Sequence, residues 1–500
     1  MTGKLTTLRV GLVLVGAVAA ALVAASAAQT PPAPRAEIAA QTLPAPQAEI
    51  TAALPVIPDA RFNLKDYGGA GDSKTFNTDA FKNAVAAIAK AGGGHLIVPA
   101  GTYKTLPFTL TSHMDLHLDP GATIKAPDTF AEYGILDPNQ AAPNQAAPNQ
   151  AAPNQAAPNQ AAAPAGSRGG SGAGRVAPLI SCPPETTDLA ITGSGTIDGS
   201  GAMFWIWSDK AARRYPPGRA VVARPALVSL AGVQRLHVDG ITLTNSPMFH
   251  LVPRGTDITI ENVRIVAPSD APNTDAMDPG GQRIVIRNCE IDTGDDNVAL
   301  QSGSHDVLIE GLTCLHGHGI SIGSPTRNGL SHVIVRHCTF NGTDNGLRIK
   351  SYRGNGGEVH DIWYSDIVMK NVRRPFDINM LYNGNAGGPT DVGPREATPG
   401  QTQNIPNFHD IHVSNLTVTG SPLAGRILGL PEQMANNIAF TNVKIQSTRG
   451  FLVQDGKDIT FDNVQITATV GDPLVLDNAS VKWNGARKSG SSGGPASVFY

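Results

Sequence analysis

The feature that most constrains this chain is a short segment that recurs nine times between residues 236 and 461. It reads Leu236-x-Val238, Ile258-x-Ile260, Ile284-x-Ile286, Val307-x-Ile309 and Val333-x-Val335. It continues as Ile362-x-Tyr364, Ile411-x-Val413, Ile438-x-Phe440 and Ile459-x-Phe461. The alternation puts two apolar side chains on one face of a strand. Two residues on, Asn262, Asn288, Asp366, Asn415, Asn442 and Asn463 occupy one position, and an apolar residue follows it each time. A single copy cannot bury its apolar face, whereas stacked copies bury it continuously. The pattern therefore predicts an all-β solenoid, a right-handed parallel β-helix. Asn side chains stacked at the turn can hydrogen-bond from coil to coil and hold the register. Five hundred residues would otherwise suggest several domains, but a repeat overrides that expectation. Gly at 54 of 500 with only 16% charged residues suits many short strands joined by tight turns.

The chain around the repeat divides by composition. Residues 1–28 read as a signal peptide: Lys4 and Arg9 precede an apolar run from Val10 to Ala25, and Ala25-Ser26-Ala27 offers a cleavage site. Secretion or a periplasmic location is expected, with no stable membrane insertion after cleavage. Residues 29–59 are Pro/Ala-rich and read as a flexible linker, and 60–485 as the β-helix domain. Within that domain, residues 79–91 have helical spacing in Phe81, Ala84, Val85 and Ile88; this predicts an N-terminal capping helix that Thr78 can cap. Residues 137–175 contain Ala-Ala-Pro-Asn-Gln four times from Ala141 to Gln160 and read as a disordered insertion. Residues 486–500 read as a flexible tail. Cys289 and Cys338 fall on one apolar column two coils apart, roughly 10 Å at the spacing of paired strands, too far for a disulfide. Buried free thiols are expected there.

The polar exceptions to the repeat gather between Asn273 and Lys350: Asn273-Thr274-Asp275, Gly294-Asp295-Asp296, Gly317-His318-Gly319 and Arg348-Ile349-Lys350. Asp275 and Asp296 are 21 residues apart and Asp296 and His318 are 22, about one coil each. One column should therefore hold Asp275, Asp296 and His318, with Asp295 beside Asp296. Extending the alignment sets Leu347 and Ile349 in the core and turns Arg348 outward onto the same face, with Lys350 at its edge. Carboxylates so crowded cannot all ionise, and at least one should keep its proton. A protonated acid beside an ionised partner is what glycoside hydrolysis needs, and Arg348 and Lys350 can pair with a substrate carboxylate. A net charge of −3 argues against nucleic acid as a partner.

At these motifs the sequence resembles glycoside hydrolase family 28, the polygalacturonases and their relatives, whose marks are Asn-Thr-Asp, Gly-Asp-Asp, Gly-His-Gly and Arg-Ile-Lys. Tyr67-Gly68, Pro99 to Tyr103 and Gly193 to Gly199 also resemble the family. The resemblance implies inverting hydrolysis of α-1,4-galacturonosyl bonds in pectin or polygalacturonate, an acidic polysaccharide, by a monomer needing neither metal nor other cofactor. It implies Asp295 as general acid, Asp275 and Asp296 as the pair that activates water, and His318 as the residue that tunes the acid. Arg348 and Lys350 would grip the galacturonate carboxylate, with Tyr382 as a further substrate-binding residue. One departure is Ala276, where the family usually has Gly. Rhamnogalacturonan or xylogalacturonan remains an alternative substrate. A pectate lyase and a non-catalytic β-helix adhesin are alternatives from other classes.

Overall fold

The computed structural model describes residues 49–135, 176–205, 224–383, 391–397 and 403–490. The expected signal peptide, the insertion 137–175 and the end of the tail lie outside the described residues, as does the linker up to residue 48.

The chain is a right-handed parallel β-helix, and each coil of its central part is built from three strands. In one coil these are Gly280–Arg287, Glu290–Asp292 and Val298–Leu300. The repeat supplies the first strand of each coil. Leu236 pairs with Ile258, Ile258 with Ile284, Ile284 with Val307 and Val307 with Val333, always parallel. The stack continues through Ile362, Ile411 and Ile438. Upstream it reaches Leu189-x-Ile191 and Met114-x-Leu116, which keep the apolar pair without the turn Asn, and Gly94, which does not. The repeated apolar side chains point inward and form one continuous buried core.

The polar turn residue has a backbone reason. Asn262, Asn288, His337, Asp366, Asn415, Asn442 and Asn463 all take φ between 51° and 56°. This left-handed conformation is one that Asn and Asp tolerate better than branched residues. Their side chains form the expected ladder: Asn415 donates to Asp366, Asn442 to Asn415 and Asn463 to Asn442, at 2.8–3.2 Å. A second left-handed column stands at the other end of the same strand, through Asp188, Arg235, Asp257, Arg283, Asp306, His332, Asp361 and Asp410. Here carboxylates and guanidinium groups pair along the axis, Arg235 on Asp188 and Arg283 on Asp257.

That second column also holds residues expected to be linker. The carboxylate of Asp257 accepts from the Ala53 amide and that of Asp188 from the Val56 amide. Ile50 is buried against Val285, Leu308 and Ile334 on the outer face of the sheet. Residues 49–58 thus run along the flank of the solenoid as a strap. Composition predicted flexibility because the anchoring partners lie more than a hundred residues away.

The helix spans Thr78–Ala91 and packs Phe81, Ala84, Val85 and Ile88 into the first coils. Its N-cap is Asn77 rather than Thr78; the Thr78 hydroxyl instead accepts from the Leu106 amide. At the other end, Ala486–Gly490 pairs antiparallel with Ala479–Trp483, so the start of the expected tail is a strand that closes the last coil. The four cysteines are buried free thiols.

Candidate active site

The first three polar motifs occupy the turn before the third strand of successive coils, and Arg348-Ile349-Lys350 lies on that strand, Asn345–Lys350, one coil further on. Met277, Val298, Ile320 and Leu347 are paired rung on rung. Asp275, Asp296 and His318 each stand two residues before these rungs, which makes them the predicted column. The backbone welds the turns together. Ala276 donates to the Asp296 carbonyl, His318 to that of Asp295 and Asp344 to that of Gly317, at 2.7–2.9 Å. Inside the motifs, the Thr274 hydroxyl accepts from the Gly294 amide and donates to the Ala271 carbonyl. Gly294 can be nothing larger, because a Cβ there would lie 2.1 Å from the Ala271 carbonyl oxygen. Thr274 and Gly294 therefore shape the platform that carries Asp275, Asp295 and Asp296. Ala276 is fully buried, and its methyl group joins the core without disturbing the turn.

On this platform the charged groups interlock. The Nδ1 atom of His318 lies 2.8 Å from Oδ1 of Asp295, which also accepts from the Asp296 amide. On the far side of the ring, Nε2 of His318 faces Asp344 at 3.4 Å. Oδ1 of Asp296 accepts from Ser321 at 2.8 Å and faces Arg348 at 3.4 Å, while Oδ2 takes the Lys350 ammonium at 2.6 Å. The Tyr382 ring lies over both cations, 5.2 Å from the Arg348 guanidinium carbon and 5.5 Å from the Lys350 nitrogen. Every residue expected in the site is brought into it.

Arg348 does occupy the outward position, in register with Ala299 and Ser321 on one side and Asp377 and Arg426 on the other. It is nevertheless only 1% exposed, and Asp377 and Asp391 stand 3.8 and 4.0 Å from its guanidinium. The sequence reading had it on an open face. The covering groups come from a later coil and a connecting segment, which the alternation of one strand does not reveal.

Burial governs the protonation of the group. Burial first, then repulsion from Asp295, Asp278 and Asp296, pushes the Asp275 carboxyl well above the ordinary range, against the pull of Lys350. Its Oδ1 is buried with no partner in the protein. His318 behaves oppositely. Burial, the largest influence, works against its charge, but Asp295, Asp344 and Asp296 together outweigh it and hold the ring above its ordinary value. For Lys350, burial and Arg348 oppose the charge, and Asp296 and Tyr382 more than offset them.

Three participants escaped the sequence reading. Asp278, fully buried one position past Met277, is raised to about 7, chiefly by burial, and its Oδ2 has no partner. The Arg254 guanidinium donates to its backbone carbonyl. His250 is also buried; its Nδ1 donates to the Asp275 carbonyl at 3.1 Å, and its Nε2 accepts from the Ser246 amide. Burial lowers it to about 4, so it is a neutral prop beneath Asp275. Asp344 is the third. Of these, only Asp278 carried a legible signal, an acid on the outward side of a strand next to Asp275.

Asp295, Asp296 and His318 also offer ligand atoms within 4.8 Å of one another. Lys350 already occupies one oxygen of Asp296 and Ser321 the other, so an added cation would have to displace an ammonium. A second such group, His237, Asp239 and Glu261, is already committed to Asn262 and Arg287.

A family model described as "Glycosyl hydrolases family 28" matches residues 179–447. Among curated relatives, a "Probable polygalacturonase" of Vitis vinifera is 31% identical over 77% of this chain and 74% of its own length. The polygalacturonase of Juniperus ashei is 30% identical over 78% of this chain and 68% of its own. Among solved structures, an exopolygalacturonase from Thermotoga maritima superposes with a TM-score of 0.64 at 24% identity, covering 88% of this chain and 95% of that one.

Proposed function

The chain belongs to glycoside hydrolase family 28, and from that premise we propose that it hydrolyses α-1,4-galacturonosyl bonds in pectin with inversion at the anomeric carbon. Asp295 protonates the leaving oxygen as general acid, and Asp275 and Asp296 hold and activate the attacking water. The observation that carries this reading is the gathering of Asp275, Asp295, Asp296, His318, Arg348 and Lys350 on one platform. One glycosidic carboxyl must donate a proton while another accepts one, and neighbouring environments are what separate such roles. Asp296 has both oxygens engaged, by Lys350 on one side and by Ser321 on the other, and is the member that takes the proton from water. Asp275 presents an oxygen that no protein group satisfies and is the member that meets the water.

His318, held between Asp295 and Asp344, orients the acid and supplies positive charge next to it. Arg348 and Lys350 meet the substrate carboxylate under the Tyr382 ring, and the same two cations orient Asp296. An acidic sugar at this point is favoured because its carboxylate can accept from two adjacent cations at once. Secretion fits the N-terminal sequence, and among the described residues no helix is long and apolar enough to cross a membrane.

The test is turnover of polygalacturonate in the presence of a chelator, followed by reducing-end release and by the anomeric signals of the fresh product. Reducing ends carrying the inverted anomer, with no unsaturated product absorbing in the ultraviolet, are expected. An unsaturated, chelator-sensitive product would replace the hydrolase by a lyase. Unchanged turnover in Asp295→Asn would remove the acid from its role.

A further inference from the structure

The outward column that carries Arg348 does not stop at the site. It runs on through Asp377, Arg426 and Leu452, and the neighbouring column of Lys350 runs on through Asn379, Leu428 and Gln454. All six are fully buried, but so are Ser321 and Arg348 on the same column within the site; what sets the later positions apart is the chain that lies over them.

Part of the chain that covers them is visible in the long step between coils. Asp366 and Asn415 are neighbours on the turn ladder 49 residues apart, against 27 for Asn415 and Asn442. The extra length leaves the solenoid after Asn379. Met380–Asn383 and residues 391–397 lie against each other, with Tyr382 paired antiparallel to Val392 and the Gly393 amide donating to the Leu381 carbonyl.

This cover is bolted down by charge. Asp391 accepts from Arg374 at 2.5 Å and from Arg426 at 2.7 Å. Arg395 holds Asp455 with two nitrogens and reaches Asp477 with a third. The carbonyls of Pro394 and Arg395 accept from Arg353, which also grips Glu432 at 2.6 and 3.0 Å. Asp391, Asp455 and Asp477 are buried, as are Arg374 and Arg426, while Arg395 is half-buried at the edge of the cover. Pairs of this kind are costly to break one-sidedly, because the remaining charge stays buried. The cover is thus a fixed part of the fold.

From the coil of Asp296 to that of Arg348 is two steps, roughly 10 Å at the spacing of paired strands, or about two sugar rings. Beyond that the floor is roofed. A polymer can be cut in its middle only where it can extend past the catalytic groups in both directions. We infer that this enzyme is exo-acting: on the C-terminal side of the platform the site admits only the end of a galacturonan chain, and each turnover releases one short acidic sugar of about two rings or fewer. The inference rests on the hydrolase reading given above.

The experiment is a time course on long-chain polygalacturonate, with products resolved by anion exchange and with viscosity followed in parallel. Galacturonate or digalacturonate as the only small product from the earliest points, with viscosity falling slowly relative to reducing ends, is the expected result. An early ladder of longer oligomers with a rapid fall in viscosity would overturn the inference and leave the hydrolase reading standing. Absence of reducing-end release would overturn that reading, and the inference with it. A double variant, Arg353→Ala with Arg395→Ala, removes bolts that touch no proposed catalytic group. Longer early products are expected from it. Folded double variant whose early products match those of the parent would show that the cover is not the stop.

Discussion

Replacing Asp278 by Asn probes how burial sets protonation on the platform without removing a proposed catalytic group. The Asp278 carboxyl is buried and titrates near 7 instead of 3.8, chiefly because its charged form has lost water. Since the folded state holds this proton more tightly than the unfolded chain, the stabilisation from it is complete below about pH 3.8. It is lost as pH rises toward 7, at about 1.4 kcal/mol per pH unit. Over the whole window that is on the order of 4 kcal/mol, and coupling to the neighbouring Asp275 spreads some of it over both groups. Asn has nearly the same shape and never ionises, so the variant escapes the loss. Unfolding of the parent and of Asp278→Asn should therefore be followed by denaturant midpoint at half-unit steps from pH 4 to pH 8. The variant is expected to be close to the parent at the acid end and to gain on it steadily up to about pH 7, then to run parallel. A stability difference that stays flat, or that favours the parent more as pH rises, would refute the claim that burial keeps Asp278 protonated.

Three further outcomes follow from the geometry. Asp295→Asn should lower kcat by about 10²–10⁴-fold, the usual size of a general-acid contribution; reducing-end assays on purified, folded variant check this. Asp377→Ala should destabilise by about 3–5 kcal/mol, because Arg426 at 2.7 Å and Arg348 at 3.8 Å would lose a buried counter-charge; a small change in denaturant midpoint would contradict that. Ile50→Asp should release the strap, since burying that side chain contributes about 1.5–3 kcal/mol. Limited proteolysis should then cut near residues 49–58 faster while turnover holds, and an unchanged cutting rate would mean that the strap is held by its backbone bonds alone.

How much of the molecule could be read in advance depended on whether a feature was periodic. The first strand of each coil was legible because the same apolar pair recurs, and the turn Asn was legible because a left-handed backbone restricts the residue. Upstream of Leu236 the coils are equally regular in space, and Leu189-x-Ile191 and Met114-x-Leu116 keep the apolar pair, but the turn Asn is missing there and Gly94 breaks the pair in the first coil. The second left-handed column stayed hidden because it alternates acid and base, Asp188 with Arg235 and Asp257 with Arg283, and so shows no single residue type. The strap was misread for a related reason. Its Pro/Ala composition is that of a linker, and its anchors are supplied by other coils.

What the sequence determined by itself was the stacking, and with it the column of Asp275, Asp296 and His318. Parallel strands pair at one spacing, so a repeat in the chain becomes a repeat in space, and motifs one coil apart must meet. What only the tertiary structure decided was the state of those groups once they had met. Whether Arg348 faces water, whether Asp275 and Asp278 keep their protons and whether the floor beyond Lys350 is open all turn on burial. Burial here is set by loop segments with no period, above all by residues 391–397 held through Arg353, Arg374 and Arg426. Hydrogen-bond register is a local, repeating property, whereas the loss of water around a charge depends on everything that happens to cross above it.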